Sequence, residues 1–236
     1  MAANPDDLKN IHKGDEMIII ANGPSLADVP LEFLKSRPTF GCNRITMMGH
    51  SDDFWPDYYL SVGGSSLGST EQREHTRPSV LHAKAAFLCR VWDCYFPYDN
   101  VYGVLSWRIK DTDRLKISFS YTPLEFLGVG YSSVYCMLQI AFFMGVQRAL
   151  IVGLDHRYPD LDGPDADKKH FYKDGEAPMF EISPGPYPVH MFFSGSDLVF
   201  TLADWHWSRD GRNILDLTPN GHCKIFRKDR LENWIR

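Results

Sequence analysis

Ile18-Ile19-Ile20-Ala21 runs straight into Asn22-Gly23-Pro24-Ser25-Leu26, so an apolar segment empties into a turn of glycine, proline and small polar side chains. A short, unbroken apolar run reads as a strand buried on both faces, and in an open α/β sheet ligands sit outside the carboxyl ends of such strands. Gly23 lets a ligand approach the backbone, Pro24 stiffens the bend, and Asn22 and Ser25 can hydrogen-bond ribose, base or phosphate. The turn has neither the G-x-G-x-x-G of a dinucleotide fingerprint nor a P-loop lysine. Read without a ligand, it is a tight turn in which Ser25 caps a helix beginning at Leu26.

Other strand ends repeat this chemistry. Thr39-Phe40-Gly41-Cys42 empties into Asn43-Arg44, and Ala149-Leu150-Ile151-Val152 empties into Gly153-Leu154-Asp155. Between them, the stretch from Ser132 to Gly145 reads as a mostly buried helix with serines at its start and glycine at its stop. Polar groups therefore gather at strand ends and at a helix N-terminus, where backbone N–H groups and the helix dipole favour an anion.

In this order, Asn22-Gly23-Pro24-Ser25-Leu26, Cys42-Asn43, Ser132-Ser133, Gly153-Leu154-Asp155 and His170-Phe171-Tyr172 resemble the family 42 bacterial sialyltransferases. They equally resemble the wider MptE-like domain family, which includes an archaeal-type 6-hydroxymethylpterin diphosphokinase and flagellin-glycosylation factors. The resemblance spans about Met17 to Leu217 and closes on Asn213-Ile214-Leu215-Asp216-Leu217-Thr218-Pro219. It implies an α/β fold: a single Rossmann-like domain over 1–236 with its core at about 17–218. The sheet is expected to be mostly parallel with helices on both faces, and a long lid-like loop, about 157–193, is expected after the Gly-Leu-Asp strand.

The implied reaction is inverting, metal-independent transfer of a sialic-acid-like sugar from a CMP-activated donor to a hydroxyl of a glycan or small molecule, with no cofactor. Asn22, Gly23, Ser25 and Asn43 would hold the nucleotide. Ser132, Ser133 and the helix start would face phosphate or sugar carboxylate, and Gly153 with Asp155 would hold the cytidine ribose or base. His170 matches the family's general base. Where the family has aromatic residues after the aspartate, this chain has His156-Arg157-Tyr158, and Arg157 with Tyr158 is expected to neutralise the departing phosphate. Two departures stand out. Gly128-Val129-Gly130-Tyr131 replaces the family's arginine before the serine-bearing helix, and the third strand ends in Val62-Gly63 without Asn or Asp. On the same fold, the rival reading is Mg-ATP-dependent diphosphate transfer to a pterin alcohol, with Asp155 and Asp160 beside the metal. A nucleotide-binding module without chemistry is the non-enzymatic reading.

The long acidic loop invites a metal, but Asp160-x-Asp162-Gly163 lacks the further ligands of an EF-hand loop, and no metal site is expected. His156 has no spaced partner that would make it a metal ligand. Cys42, Cys89, Cys94, Cys136 and Cys223 are odd in number and lack C-x-x-C spacing, which favours reduced thiols. Further strands are expected at Tyr58–Val62, Ala85–Cys89 and Asn100–Val104, with a Gly/Ser-rich segment over Gly63–Ser69 and a helix from Asp197 to Trp205. A net charge of -5 over 236 residues excludes a general nucleic-acid binder. Met1 to Glu16 carries no apolar leader, so a cytoplasmic location is expected, with a peripheral position at the inner membrane face and homo-oligomers both compatible.

Overall fold

The computed structural model describes residues 4–62, 67–107, 118–128, 130, 132–157, 170–172 and 189–235. Its centre is strand β1 (Glu16–Ile20), in which Met17, Ile18, Ile19 and Ile20 are wholly buried, as β-branched runs are when helices cover both faces. On one side β1 pairs with β2 (Thr39–Cys42), followed by β3 (Tyr58–Ser61), β4 (Ala85–Cys89) and β5 (Val101–Val104). A separate pair joins β6 (Ser106–Trp107) to β7 (Leu127–Gly128). On the other side β1 pairs with β8 (Arg148–Val152), followed by β9 (Asn213–Asp216) and β10 (Arg227–Lys228). All pairings in the eight-stranded sheet are parallel.

Alternate side chains serve opposite faces, as the strand period requires. Ile18 and Ile20 join the core packed with Phe33 and Leu34 of α1 (Leu31–Leu34), Met48 of α2 (Thr46–Asp52) and Val80 of α3 (Thr70–His82). Met17 and Ile19 join the other core, with α4 (Ser133–Phe143) and with Val199, Phe200 and Trp207 of α5 (Val189–Arg209). The expected parallel α/β sheet with helices on both faces is thus what the chain forms.

Three expectations change. Pro24–Asp28 is a 3₁₀ helix, and the α-helix expected from Leu26 is instead the short α1 beginning at Leu31. The helix expected from Asp197 starts at Val189, so it takes the end of the expected loop; Gly195 and two serines weaken helical propensity there, and burial of Val199, Phe200, Ala203 and Trp207 in the core outweighs it. Helices α2 and α3 were not anticipated, although Ser69 and Gln72 form a reciprocal capping box at the α3 start. Gly145 does close α4, with φ +86°, and its carbonyl accepts from Gly14 N–H at 3.2 Å. Most of the loop after the Gly-Leu-Asp strand, with Tyr158, Asp160 and Asp162, lies outside the described residues, as do Gly63–Ser66, Val129 and Tyr131. No helix among the described residues is long and apolar enough to cross a membrane.

Candidate active site

The chain winds outward from β1 toward β5, then returns to lay β8 on the opposite edge of β1. That reversal leaves a crevice outside the carboxyl ends of β1 and β8, where doubly wound sheets hold ligands. A cleft of about 270 Å³ opens there.

Its floor comes from the two strand exits locking together. Ala21 N–H donates to Val152 O at 2.9 Å and Gly23 N–H to Gly153 O at 2.9 Å. Gly153 has φ +71°, and a Cβ on it would stand 2.5 Å from Ala21 O. A Cβ on Gly23 would stand 2.0 Å from Asp155 Oδ2. Gly23 therefore makes room for the Asp155 carboxylate. Ser25 is not part of the cleft lining: its N–H and Oγ donate to Asp155, the latter at 2.7 Å, so it aims the carboxylate. Behind β8, Thr218 Oγ1 accepts from Leu154 N–H at 3.0 Å, and His222 N–H donates to Asp155 O at 2.9 Å.

Two asparagines of the lining spend their amide donors on the protein. Asn22 donates its amide Nδ2 to Cys42 O at 3.0 Å, and Asn43, in the left-handed region at φ +50°, donates its own to Ser133 Oγ at 3.0 Å. Both amide oxygens, Asn22 Oδ1 and Asn43 Oδ1, are buried and have no hydrogen-bond partner among the described residues. Cys42 lies between them, and burial pushes its thiol up to about 12 against hydrogen bonds with Ser133 and Asn22; it stays protonated and is no nucleophile.

Ser133 thus adjoins Asn43, and the rest of the lining carries donors: Ser132 at the N-terminus of α4, Ser196 of α5, His156 and Arg157. Buried Gln139 of α4 accepts from Gly128 N–H and Ser120 N–H and donates to Gly128 O, and so fixes the backbone ahead of the helix.

His170 also lines the cleft. Its segment docks on the ends of β1 and β2: Phe171 N–H donates to Asn22 O at 3.2 Å, and Arg44 Nη1 donates to Tyr172 Oη at 2.8 Å. The His170 ring stacks on Tyr172 with centroids 4.8 Å apart. Of the residues singled out from sequence, Asn22, Gly23, Asn43, Ser132, Ser133, Gly153, Asp155, Arg157 and His170 meet in this cleft, Ser25 stands behind it, and Tyr158 lies outside the described residues. Sequence reasoning missed Ser196 and Phe200, which also line it; the polar Ser194-Gly195-Ser196-Asp197 run ahead of an apolar helix was the available signal. Among the described residues, no group of three or more His, Cys, Asp or Glu is placed to hold a metal ion.

No protein-family model and no curated protein matches the chain. Solved structures do. The sialyltransferase CstII from Campylobacter jejuni, in complex with the substrate analogue cytidine-5'-monophosphate, is 13% identical over 92% of this chain and 85% of its own, with a TM-score of 0.52. A second CstII structure, in complex with CMP-3FNeuAc, gives 13% identity and 0.52 over 91% and 86%. The MAf glycosyltransferase from Magnetospirillum magneticum AMB-1 is 14% identical over 95% of this chain, which spans 37% of that protein, with a TM-score of 0.53. At such identities the likeness is one of fold. It falls on the glycosyltransferase side of the resemblance and says nothing specific of the MptE-like domains.

Proposed function

We propose that this protein is a glycosyltransferase that binds a CMP-activated, sialic-acid-like sugar in the cleft between β1 and β8 and passes the sugar to a hydroxyl acceptor. The observation that carries this reading is the gathering in one cleft of Asn22, Asn43 and the Asp155 carboxylate with the donors Ser132, Ser196, His156 and Arg157. A nucleotide sugar offers hydroxyl and amino groups to the first set and an anionic phosphate to the second. The fold likeness to a sialyltransferase holding CMP points the same way.

In this reading Asp155, held by Ser25, accepts from ribose or base, and the α4 N-terminus with Ser132 and Ser133 cradles phosphate or the sugar carboxylate. The acceptor oxygen attacks the anomeric carbon, the bond from that carbon to the phosphate oxygen breaks with its electron pair leaving on phosphate, and His170 takes the hydroxyl proton. Arg157 and Tyr158 meet the growing phosphate charge in place of a metal.

Thermal denaturation with a nucleotide panel, with and without Mg²⁺, tests it. CMP at about a hundred times its Kd should add about 2.7 kcal/mol, a rise in Tm of roughly 5 to 10 °C for a chain of this size. Asn22→Ala and Asn43→Ala should each weaken CMP by about tenfold, and transfer should persist in EDTA. Stabilisation by Mg-ATP with none by CMP would hand the site to diphosphate transfer.

A further inference from the structure

His156 follows Asp155 with φ +51°, a left-handed backbone uncommon for a non-glycine residue. The turn sends Asp155 back toward Ser25 and carries the His156 ring across to α5, where Nε2 lies 2.9 Å from Asp197 Oδ1 and the ring packs against Phe200 at 5.7 Å. The imidazole is 11% exposed while Asp197 stands at the rim. A carboxylate accepts only, so Nε2 carries the proton on that side and Nδ1 is the nitrogen that Asp197 does not engage. His156 lines the cleft with Arg157 and Ser196. The base, its orienting carboxylate and the cleft are thus built together from β8 and α5.

We infer that His156, oriented by Asp197, is the proton donor to the phosphate leaving from the activated sugar. The assignment rests on the transfer reading given above and adds a group to it. As the bond from the anomeric carbon to phosphate breaks, its electron pair stays on the phosphate oxygen. The imidazolium passes its Nδ1 proton to that phosphate and becomes a neutral ring still held through Nε2–H. The acceptor's proton goes separately to His170, and His156 regains its own from solvent before the next turnover. Among the described residues, the charged and imidazole groups that touch the ring or share its cleft are Asp197 from α5, Asp155 and Arg157 from the β8 exit, and His170 from the segment docked on β1.

The test is calorimetric titration with CMP, and with cytidine as the phosphate-free control, at about pH 6 and about pH 8, across histidine's titration range, alongside kcat and KM on a CMP-activated sugar. The wild type should lose CMP affinity over that span about tenfold more than His156→Gln does, with cytidine showing no such difference. His156→Gln should lower kcat by about 10²-fold with KM changed less than about threefold, and should flatten the alkaline limb of the kcat profile. Asp197→Asn keeps an acceptor for Nε2–H but no charge. It should lower kcat about tenfold, move the alkaline limb to lower pH and be rescued by Asp197→Glu. The same pH dependence of CMP affinity in the wild type and either variant, or undiminished kcat, overturns the assignment while leaving the transfer reading standing. Should His156→Gln fail to fold, the more exposed Asp197→Asn decides alone. Absence of CMP binding to the wild type at both pH values takes down the transfer reading and this assignment with it.

Discussion

Gly23 and Gly153 are where single atoms decide whether the cleft exists. Each sits where the β1 and β8 exits cross, and a methyl group on Gly23 would invade the Asp155 carboxylate. Such overpacking typically costs about 1–3 kcal/mol, and Gly153 adds the strain of a positive φ. Gly23→Ala is therefore expected to lower stability by roughly that amount and to displace Asp155, weakening any ligand the aspartate holds. Chemical denaturation of the variant, with the unfolding slope compared to wild type, checks it; an unchanged midpoint would mean that Asp155 has somewhere else to go. Asn22 and Asn43 each spend the amide donor on the protein, on Cys42 O and Ser133 Oγ, and so tie the exits of β1 and β2 to their neighbours.

At the scale of elements, the segment bearing His170 is held at one end by backbone and at the other by Tyr172, which is 7% exposed and bonded to Arg44. Tyr172→Ala removes the ring on which His170 stacks. The Phe171 amide, now donating to Asn22 O, should then exchange with solvent at least about tenfold faster, as local opening free energy falls by the buried ring's contribution, and turnover should drop more than CMP affinity. Hydrogen exchange followed by mass spectrometry reads the first effect directly. Sequence alone made β1 to β5 and β8 legible, most clearly β1 and β8, because buried parallel strands write themselves as apolar runs. It also gathered most of the cleft, since loops after such strands converge at one edge of a sheet. It could not show that Ser25 meets Asp155, or that His156 meets Asp197, because both pairings join residues far apart in sequence. Helix α3 hid for another reason: its mean hydropathy is low, Pro78 interrupts it, and only Thr76, Ser79 and Val80 are buried.

Across the whole molecule, the end of the sheet opposite the cleft is tied by charge. Glu16 at the foot of β1 pairs with Arg37 at 2.8 Å and with Arg148 of β8, while Asp57 pairs with Lys84 at 2.8 Å and accepts from Thr39 N–H at 2.9 Å. Burial alone would raise both carboxyls, but the hydrogen bonds and charges of these partners win and hold each below its ordinary value. Groups held low in the folded state bind fewer protons there than in the unfolded chain. Their stabilisation is complete above the unfolded carboxylate range, about pH 4, and is lost as pH falls through the lower folded values. Urea midpoints should therefore be level from about pH 7 to 5 and fall toward about pH 3, and Glu16→Gln should be less stable at neutral pH with a shallower acid decline. An acid decline as steep as the wild type's would show that Glu16 takes no part.

The reversal of strand order that makes the crevice also sets when the crevice can appear. The segment from β1 to β5 ends at Val104, yet β1 keeps one bare edge until β8, beginning at Arg148, has left the ribosome. Parallel pairing over such a separation is slow to form, because the chain entropy is lost before the contacts are gained. A nascent chain halted before β8 thus carries an apolar, unpaired edge at Met17–Ile20, the kind of surface on which chains stick to one another. The last central strand to be synthesised both shields that edge and brings Gly153, Asp155 and His156 to the waiting Asn22, and the later His170 segment and α5, with Ser196 and Phe200, then complete the cleft.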